Sequence, residues 1–206
     1  GFSKRYENGL RLSVHALYED RRPLHNTTKF TISRKGSIFI TPNYPVERFP
    51  AQFTPHQALM MGFEISFKPG QRYIQFPDSK VPLGSRYPTL AFSYTRGFSK
   101  LLGSDVDFDK WKFSVYDDLN LRLGGLLKYK LVLGGFLNDR KVYMQDYQHF
   151  NGNLTVAASD YVNSFQLVSY YAFSNTEPFF VQAHLEHHFN GLLTNKIPGF
   201  RNLNWH

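Results

Sequence analysis

The stretch 178–198 reads PFFVQAHLEHHFNGLLTNKIP, and the polarity of its first half decides the fold. Phe179, Val181, Ala183, Leu185 and Phe189 take alternate positions, and Phe180, Gln182, His184, Glu186 and His188 fill those between. Side chains of a strand point to opposite faces with period two, so an extended chain here is apolar on one side and mostly polar on the other. Two architectures satisfy this pattern. A soluble sheet turns its apolar side inward onto a core. The wall of a membrane barrel turns it outward onto hydrocarbon and keeps a wet lumen.

The same alternation recurs upstream. Over Gly9–Glu19, Leu10, Leu12, Val14, Ala16 and Tyr18 oppose Arg11, Ser13, His15 and Glu19, with Leu17 the exception. Over Leu59–Lys68, Met61, Phe63, Ile65 and Phe67 oppose Met60, Gly62, Glu64 and Ser66, and pairing can resume at Arg72–Phe76. Pro88–Gly97 is a third run, and Phe108–Leu123 the longest: Trp111, Phe113, Val115, Leu119, Leu121 and Leu123 share one face, with Lys110, Lys112, Ser114, Tyr116, Asp118, Asn120 and Arg122 on the other. Gly124-Gly125 signals a tight hairpin back into Leu127–Leu137. Six antiparallel strands are predicted, and Gly199–Asn204 turns toward a seventh. The segments 20–57 and 138–176 are long, whereas Pro77–Ser85, Gly124-Gly125 and Gly199–Asn202 are short turns. Lys29–Ile40 and Phe165–Phe173 are candidate short strands within the long segments. Outer-membrane barrels show this alternation of long outer loops and short periplasmic turns.

Composition narrows the choices. Aromatic residues make up 17% of the chain, including 20 Phe and 13 Tyr, and charged residues only 19%. Aromatics suit strands and the girdles of a membrane barrel. The absence of cysteine excludes disulfides, thiolate metal sites and a cysteine nucleophile. The net charge of +8 is scattered, in pairs such as Lys4-Arg5 and Arg21-Arg22, without interleaved stacking aromatics, which speaks against nucleic acid as a partner. No apolar run reaches the ~18 residues of a transmembrane helix, a limit that says nothing of strands. Asp117 breaks the apolar face of the fourth strand and His187 that of the sixth; a rim position is expected for each, or for Asp117 a local bulge.

Beyond these patterns, GluHisHisPheAsnGly at 186–191 and AsnLysIlePro at 195–198 resemble the C-terminal barrel of an outer-membrane protein family. Its members typically carry an N-terminal carboxypeptidase-regulatory-like domain. PheLysProGlyGlnArgTyrIle at 67–74, the run 87–97, LeuGlySerAspValAspPheAspLys at 102–110 and HisPheAsnGlyAsn at 149–153 are similar to the same family. The likeness covers about residues 60–200. It implies an antiparallel transmembrane β-barrel, distantly similar to BamA-type barrels, present here as an incomplete set of strands of one domain, 1–206, cut at both ends. The segments 20–57 and 138–176 would then be extracellular loops. In BamA-type barrels the sixth such loop folds into the lumen with an Arg-Gly-Phe signature; the corresponding segment 138–176 holds His149-Phe150-Asn151-Gly152 instead.

These readings assign faces and sites. Lys112, Asn120, Arg122, Gln182, His184, Glu186 and His188 are expected to face the lumen, and Phe113, Leu121, Leu131, Leu133, Leu185 and Phe189 to face lipid. His184, Glu186 and His188 are spaced for a metal, although a polar ladder explains them as well, and no metal is expected. His187 with Ser169 or Ser174 is a remote candidate for a serine hydrolase pair without an elbow motif. Asp105, Asp107 and Asp109 lack the Gly and Glu of a calcium loop. Tyr143, Tyr147, His149 and Tyr170-Tyr171 form an aromatic loop set suited to plugging a lumen, and Trp111, Tyr116 and Tyr129 read as wall or interface-belt residues. The expected function is a structural, assembly-associated or transport-associated component of the bacterial outer membrane. It is not expected to be an enzyme or to need a cofactor, and its expected partners are outer-membrane lipid and other envelope proteins. The alternatives are a soluble β-barrel carrier of a lipid-like ligand and a metal-dependent hydrolase.

Overall fold

The computed structural model describes residues 1–23, 54–153, 162–168 and 172–189. Its strands are β1 (Phe2–Arg5), β2 (Leu10–Arg21), β3 (His56–Phe67), β4 (Arg72–Gln75), β5 (Lys80–Gly84), β6 (Thr89–Gly97), β7 (Asp107–Asn120), β8 (Leu126–Lys141), β9 (Gly152–Asn153), β10 (Phe165–Gln166) and β11 (Phe180–His188). Seven of them form one sheet in the order β1-β2-β3-β6-β7-β8-β11, and every neighbouring pair is antiparallel. The fold is therefore all-β, an up-and-down meander. β4 and β5 form a side hairpin within the β3–β6 connection, and β9 and β10 a two-residue parallel pair within the β8–β11 connection.

The sheet is open. β1 and β11 are its edges, and among the described residues no strand pairs with either on the outer side, so no closed barrel is formed. The candidate strand 29–40 and the turn 199–204 lie outside the described residues, as does most of the segment 20–57.

Several boundaries differ from the sequence reading. β2 runs on to Arg21 and β3 begins at His56, so the strand pair grips the first long connection at both its ends. β8 continues through Lys141, because Asp107 and Asp109 of β7 supply backbone partners beyond the apolar run. β7 stops at Asn120, where Asn120 Oδ1 accepts the Arg122 N–H and a 3-10 turn, Arg122–Gly124, replaces the expected two-glycine hairpin. Gly125 then adopts φ +94, and a side chain there would collide with the His188 carbonyl. Pro77–Ser85 is not only turn, since it contains β5. The β1 strand carried no alternation long enough to read.

Register decides which residues share a face. Leu12, Ile65, Phe92, Phe113, Leu133 and Val181 stand side by side across the sheet. Leu10, Phe67, Leu90, Val115, Leu131 and Ala183 form the next row toward the short turns. Phe2, Val14, Phe63, Tyr94, Trp111 and Gly135 form the row toward the long connections. The opposite face carries Ser13, Glu64, Ser93 and Lys112 in one row and Arg11, Ser66, Ala91, Ser114, Val132 and Gln182 in the next.

Among the described residues one compact apolar core forms, and it is small. Ala58, Met60, Val106, Phe108 and Phe136, with Val142 and Tyr143 against them, cluster at the end of the sheet from which the long connections leave. Phe108 approaches Gly97 so closely that a Cβ there would sit 2.8 Å from its ring. Where β11 joins β8, Gly134 admits the Phe180 ring and Gly135 admits the Pro178 carbonyl, 2.0 Å from where a Cβ would stand. Backbone cannot yield as a flexible side chain can. Gly135→Ala is therefore expected to cost about 1–3 kcal/mol, read as a lower midpoint in denaturant unfolding, with little change in the circular dichroism of the folded protein.

Candidate functional site

The polar face of the sheet is the candidate site, because the segment after β8 folds onto it. That segment crosses back at the long-connection end. Tyr143 stacks on His56 of β3 at 3.5 Å between ring centroids, and Asp146 receives a two-pronged hydrogen bond from Arg21 of β2 at 2.7 and 2.9 Å. Both members of this ion pair are largely buried, with side chains 11% and 5% exposed. Lys110 of β7 donates to the carbonyls of Asp146 and Tyr147, each at 3.0 Å. These bonds satisfy backbone groups of an irregular segment that would otherwise lose water when covered.

From there the chain descends the polar face. Gln148 bridges to Asn175, and His149 Nδ1 lies 2.9 Å from the Ser174 hydroxyl, which is fully buried. Phe150 meets Phe180 edge-on at 5.1 Å, and Phe165 tilts against His184 at 4.6 Å. Lys130 donates to Asn163 Oδ1 at 2.6 Å. Between segment and sheet remains a cavity of about 380 Å³, bordered by Lys112, Ser114, Tyr116 and Lys130 on the strands and Gln148, His149 and Asn151 on the segment. The aromatic loop set thus lies on the polar face as far as it is described; Tyr170-Tyr171 lie outside the described residues.

The opposite face is apolar and uncovered among the described residues. Val14 is 56% exposed, Val181 58% and Leu185 72%. Ion pairs border the apolar rows at both ends. Toward the long connections, Arg96 pairs with Asp109 and with Asp107, and Tyr94 donates its hydroxyl to Asp109. Toward the short turns, Asp117 pairs with Lys68 at 3.3 Å. Asp117 shares its row with Tyr129 and Leu185, one row short of Leu119 and Leu127, and keeps regular pairing there, so no bulge turns it inward. From Asp109 to Asp117 the strand rises about 26 Å at roughly 3.3 Å per residue.

The structure places most of the face assignments together. Lys112, Asn120, Gln182, His184, Glu186 and His188 share the polar face, and Phe113, Leu131, Leu133 and Leu185 the apolar one. Arg122 and Leu121 belong to the turn after β7, and Phe189 follows the end of β11, so these three lie outside the strands. Tyr116 borders the cavity, whereas Trp111 and Tyr129 lie on the apolar face. The proposed metal spacing does not assemble. His184 turns to Gln182 at 2.5 Å, Glu186 pairs with His188, and no group of three potential ligands exists among the described residues. Ser174 bonds His149 rather than His187, whose Nε2 lies 2.8 Å from the Gly124 carbonyl; Ser169 lies outside the described residues. Asp105, Asp107 and Asp109 are matched by Lys141, Arg140 and Arg96 and so form an ion-pair ladder rather than a cation site. Arg21, Asp146 and the Ser174–His149 bond carried no sequence signal, because their partners lie far away in the chain.

An antiparallel meander with one face apolar and bare among the described residues, and a polar face partly covered by its own long connection, defines the class of domain. The whole chain, residues 1–206, matches the C-terminal domain of a family of unknown function, DUF5686, and the protein belongs to that family. No curated protein and no solved structure matches it.

Two outcomes follow from these bonds. Asp146→Ala would take two hydrogen bonds from the buried Arg21 guanidinium and leave it Glu19 alone, at 2.7 Å, which is expected to cost about 1.5–3 kcal/mol. It should also make the chain after Lys141 the first site cut in limited proteolysis. Asp105, in the β6–β7 connection, is held below the ordinary carboxylate range by the Gln57 N–H and then by the Lys141 ammonium. A lowered folded value stabilises above the unfolded pKa of about 3.9 and fades as pH falls through the folded value. The stability gap between wild type and Asp105→Asn is thus expected to be full at pH 7 and to close toward pH 2 in denaturant titrations.

Proposed function

We propose that this domain is a wall section of an antiparallel β-barrel in a bacterial outer membrane, with a structural, assembly-associated or transport-associated role alongside other envelope proteins. The observation that carries this reading is the exposed apolar face. A soluble carrier would turn those rows inward around its ligand, whereas among the described residues they stay bare and the segment after β8 covers part of the polar face. Exposed apolar patches of this extent mark a surface made for another apolar phase.

The dimensions support it. Inclined by the 35–45° usual in such barrels, the apolar rows between Asp109 and Asp117 would span about 20 Å, close to the ~25 Å apolar band of outer-membrane barrels. Ion pairs border that band where the solvent changes. The segment after β8, folded onto the polar face, would narrow a lumen. Strands beyond β1 and β11 would complete the wall, and outer-membrane lipid would cover its outside. Family likeness and fold analogy supply the assembly or transport role, which is held on that ground.

Site-directed spin labelling tests the reading. In protein folded into lipid vesicles, labels at Leu131, Val181 and Leu185 are expected to be relaxed by oxygen, which concentrates in acyl chains. Labels at Ser93 and Ser114 are expected to respond to a water-soluble nickel complex. The reverse pattern, or equal response at all five sites, would show a soluble domain.

A further inference from the structure

The cavity on the polar face contains an imbalance that the fold itself does not use. Lys110 and Lys130 both donate to acceptors of the covering segment. Lys112, between Ser93 and Gly134 in the same face, borders the cavity with no ion pair and no hydrogen-bond acceptor among the described residues. The row that holds it offers one carboxylate, Glu64, which stands beyond Ser93 and forms no ion pair with it. Burying an ammonium partly out of water without a partner is costly. Facing it from the segment, Gln148 is only 3% exposed; its amide nitrogen donates to the His149 carbonyl, yet its Oε1 is buried without a donor. One wall thus lacks an acceptor and the other lacks a donor.

We propose that this cavity binds a small oxyanion that carries at least one hydroxyl. The oxyanion would accept from the Lys112 ammonium and the Ser114 hydroxyl, and a rotation of the Gln148 carboxamide, whose Oε1 is enclosed as the structure stands, would bring that oxygen to the ligand hydroxyl. Charge-assisted hydrogen bonds of this kind are the strong ones. A volume of about 380 Å³ suits a hydroxylated acid of sugar size and is more than enough for phosphate. Dihydrogen phosphate and a sugar acid share the required chemistry, an anionic oxygen set beside an O–H donor. Simple anions such as chloride lack the donor.

The proposal goes beyond the membrane reading and does not require it, since the cavity faces away from the apolar rows. The test uses the folded full chain in detergent and reads Lys112 directly. Acetylation of individual lysines by a brief pulse of reagent is followed by peptide mass spectrometry, with phosphate, gluconate or chloride present. Phosphate, gluconate or both are expected to slow modification of Lys112 at least fivefold with saturation, while Lys4 on β1 is unaffected and chloride has no effect. Protection by gluconate alone identifies a sugar-acid-type ligand, and protection by phosphate alone a phosphate-type one. No protection by either, or equal protection of Lys4, overturns the proposal. Calorimetric titration gives the second measure: Gln148→Glu, which places a negative charge where the orphan acceptor stands, is expected to weaken binding at least tenfold. Lys4→Gln should leave it unchanged. Unaltered binding in Gln148→Glu overturns the site, and should that variant fail to fold, the protection experiment on the unmodified chain decides.

Discussion

The rest of the structure depends on an antiparallel register that holds across the apolar rows from β1 to β11. Backbone pairing sets which residues stand side by side, and the period of two then sends every second side chain to the same face. A slip of one residue in any strand would move its whole apolar set to the other side. In the large sheet the register shifts only where the start of β7 meets the end of β8. Lys110 pairs with Phe136 and Asp109 with Asn138, so Leu137 falls between the paired residues as a bulge. That offset lets Arg96, Asp107, Asp109 and Asn138 meet at the end of the sheet, as a charged border above the apolar rows.

Once the faces are separated, the polar one has to be satisfied. Water could do so, but much of it is covered by the segment that follows β8. Arg21 and Lys110 are spent on that covering at Asp146, and Lys130 at Asn163. Arg21 reaches a carboxylate, Lys110 two carbonyls of the irregular backbone and Lys130 a carboxamide oxygen. Apolar packing helps only at the long-connection end, around Phe108 and Phe136, and again where Phe150 and Phe180 meet. The covering is held mainly by hydrogen bonds and ion pairs, which distinguishes this face from the core of a soluble sandwich, where aliphatic side chains interdigitate.

This division of labour gives the proposed membrane reading its physical sense. A sheet in hydrocarbon needs no apolar partner on its outer face, because lipid supplies one, and needs every polar group turned inward or paired. Asp117 obeys the same rule. A carboxylate in the middle of the apolar rows would be expensive; Asp117 stands near their short-turn end, one row before Leu119, and is paired with Lys68. Lys110, Lys130 and Lys141 obey it too, each with a partner, whereas Lys112 borders the cavity without one among the described residues.

How much of this was legible beforehand follows from the range of each interaction. Alternation in Leu10–Tyr18, Met61–Phe67, Trp111–Leu119 and Val181–Leu185 is a local property, so the strand class, the two faces and the assignments of Lys112, Phe113 and Leu133 could be read directly. Strand ends were less legible: Leu121, Arg122 and Phe189 continue the pattern, but Asn120 capping the Arg122 N–H and the end of pairing at His188 remove them from the sheet. The apparent metal spacing of His184, Glu186 and His188 failed because each side chain found a nearer partner. The amino-acid sequence alone determined the polarity of the strands, since that needs only the period of two. The tertiary structure alone decided that Asp146 meets Arg21, that Ser174 meets His149 and that Lys112 stands opposite Gln148, because such contacts depend on how a long connection folds back across strands, and no short-range pattern encodes that path.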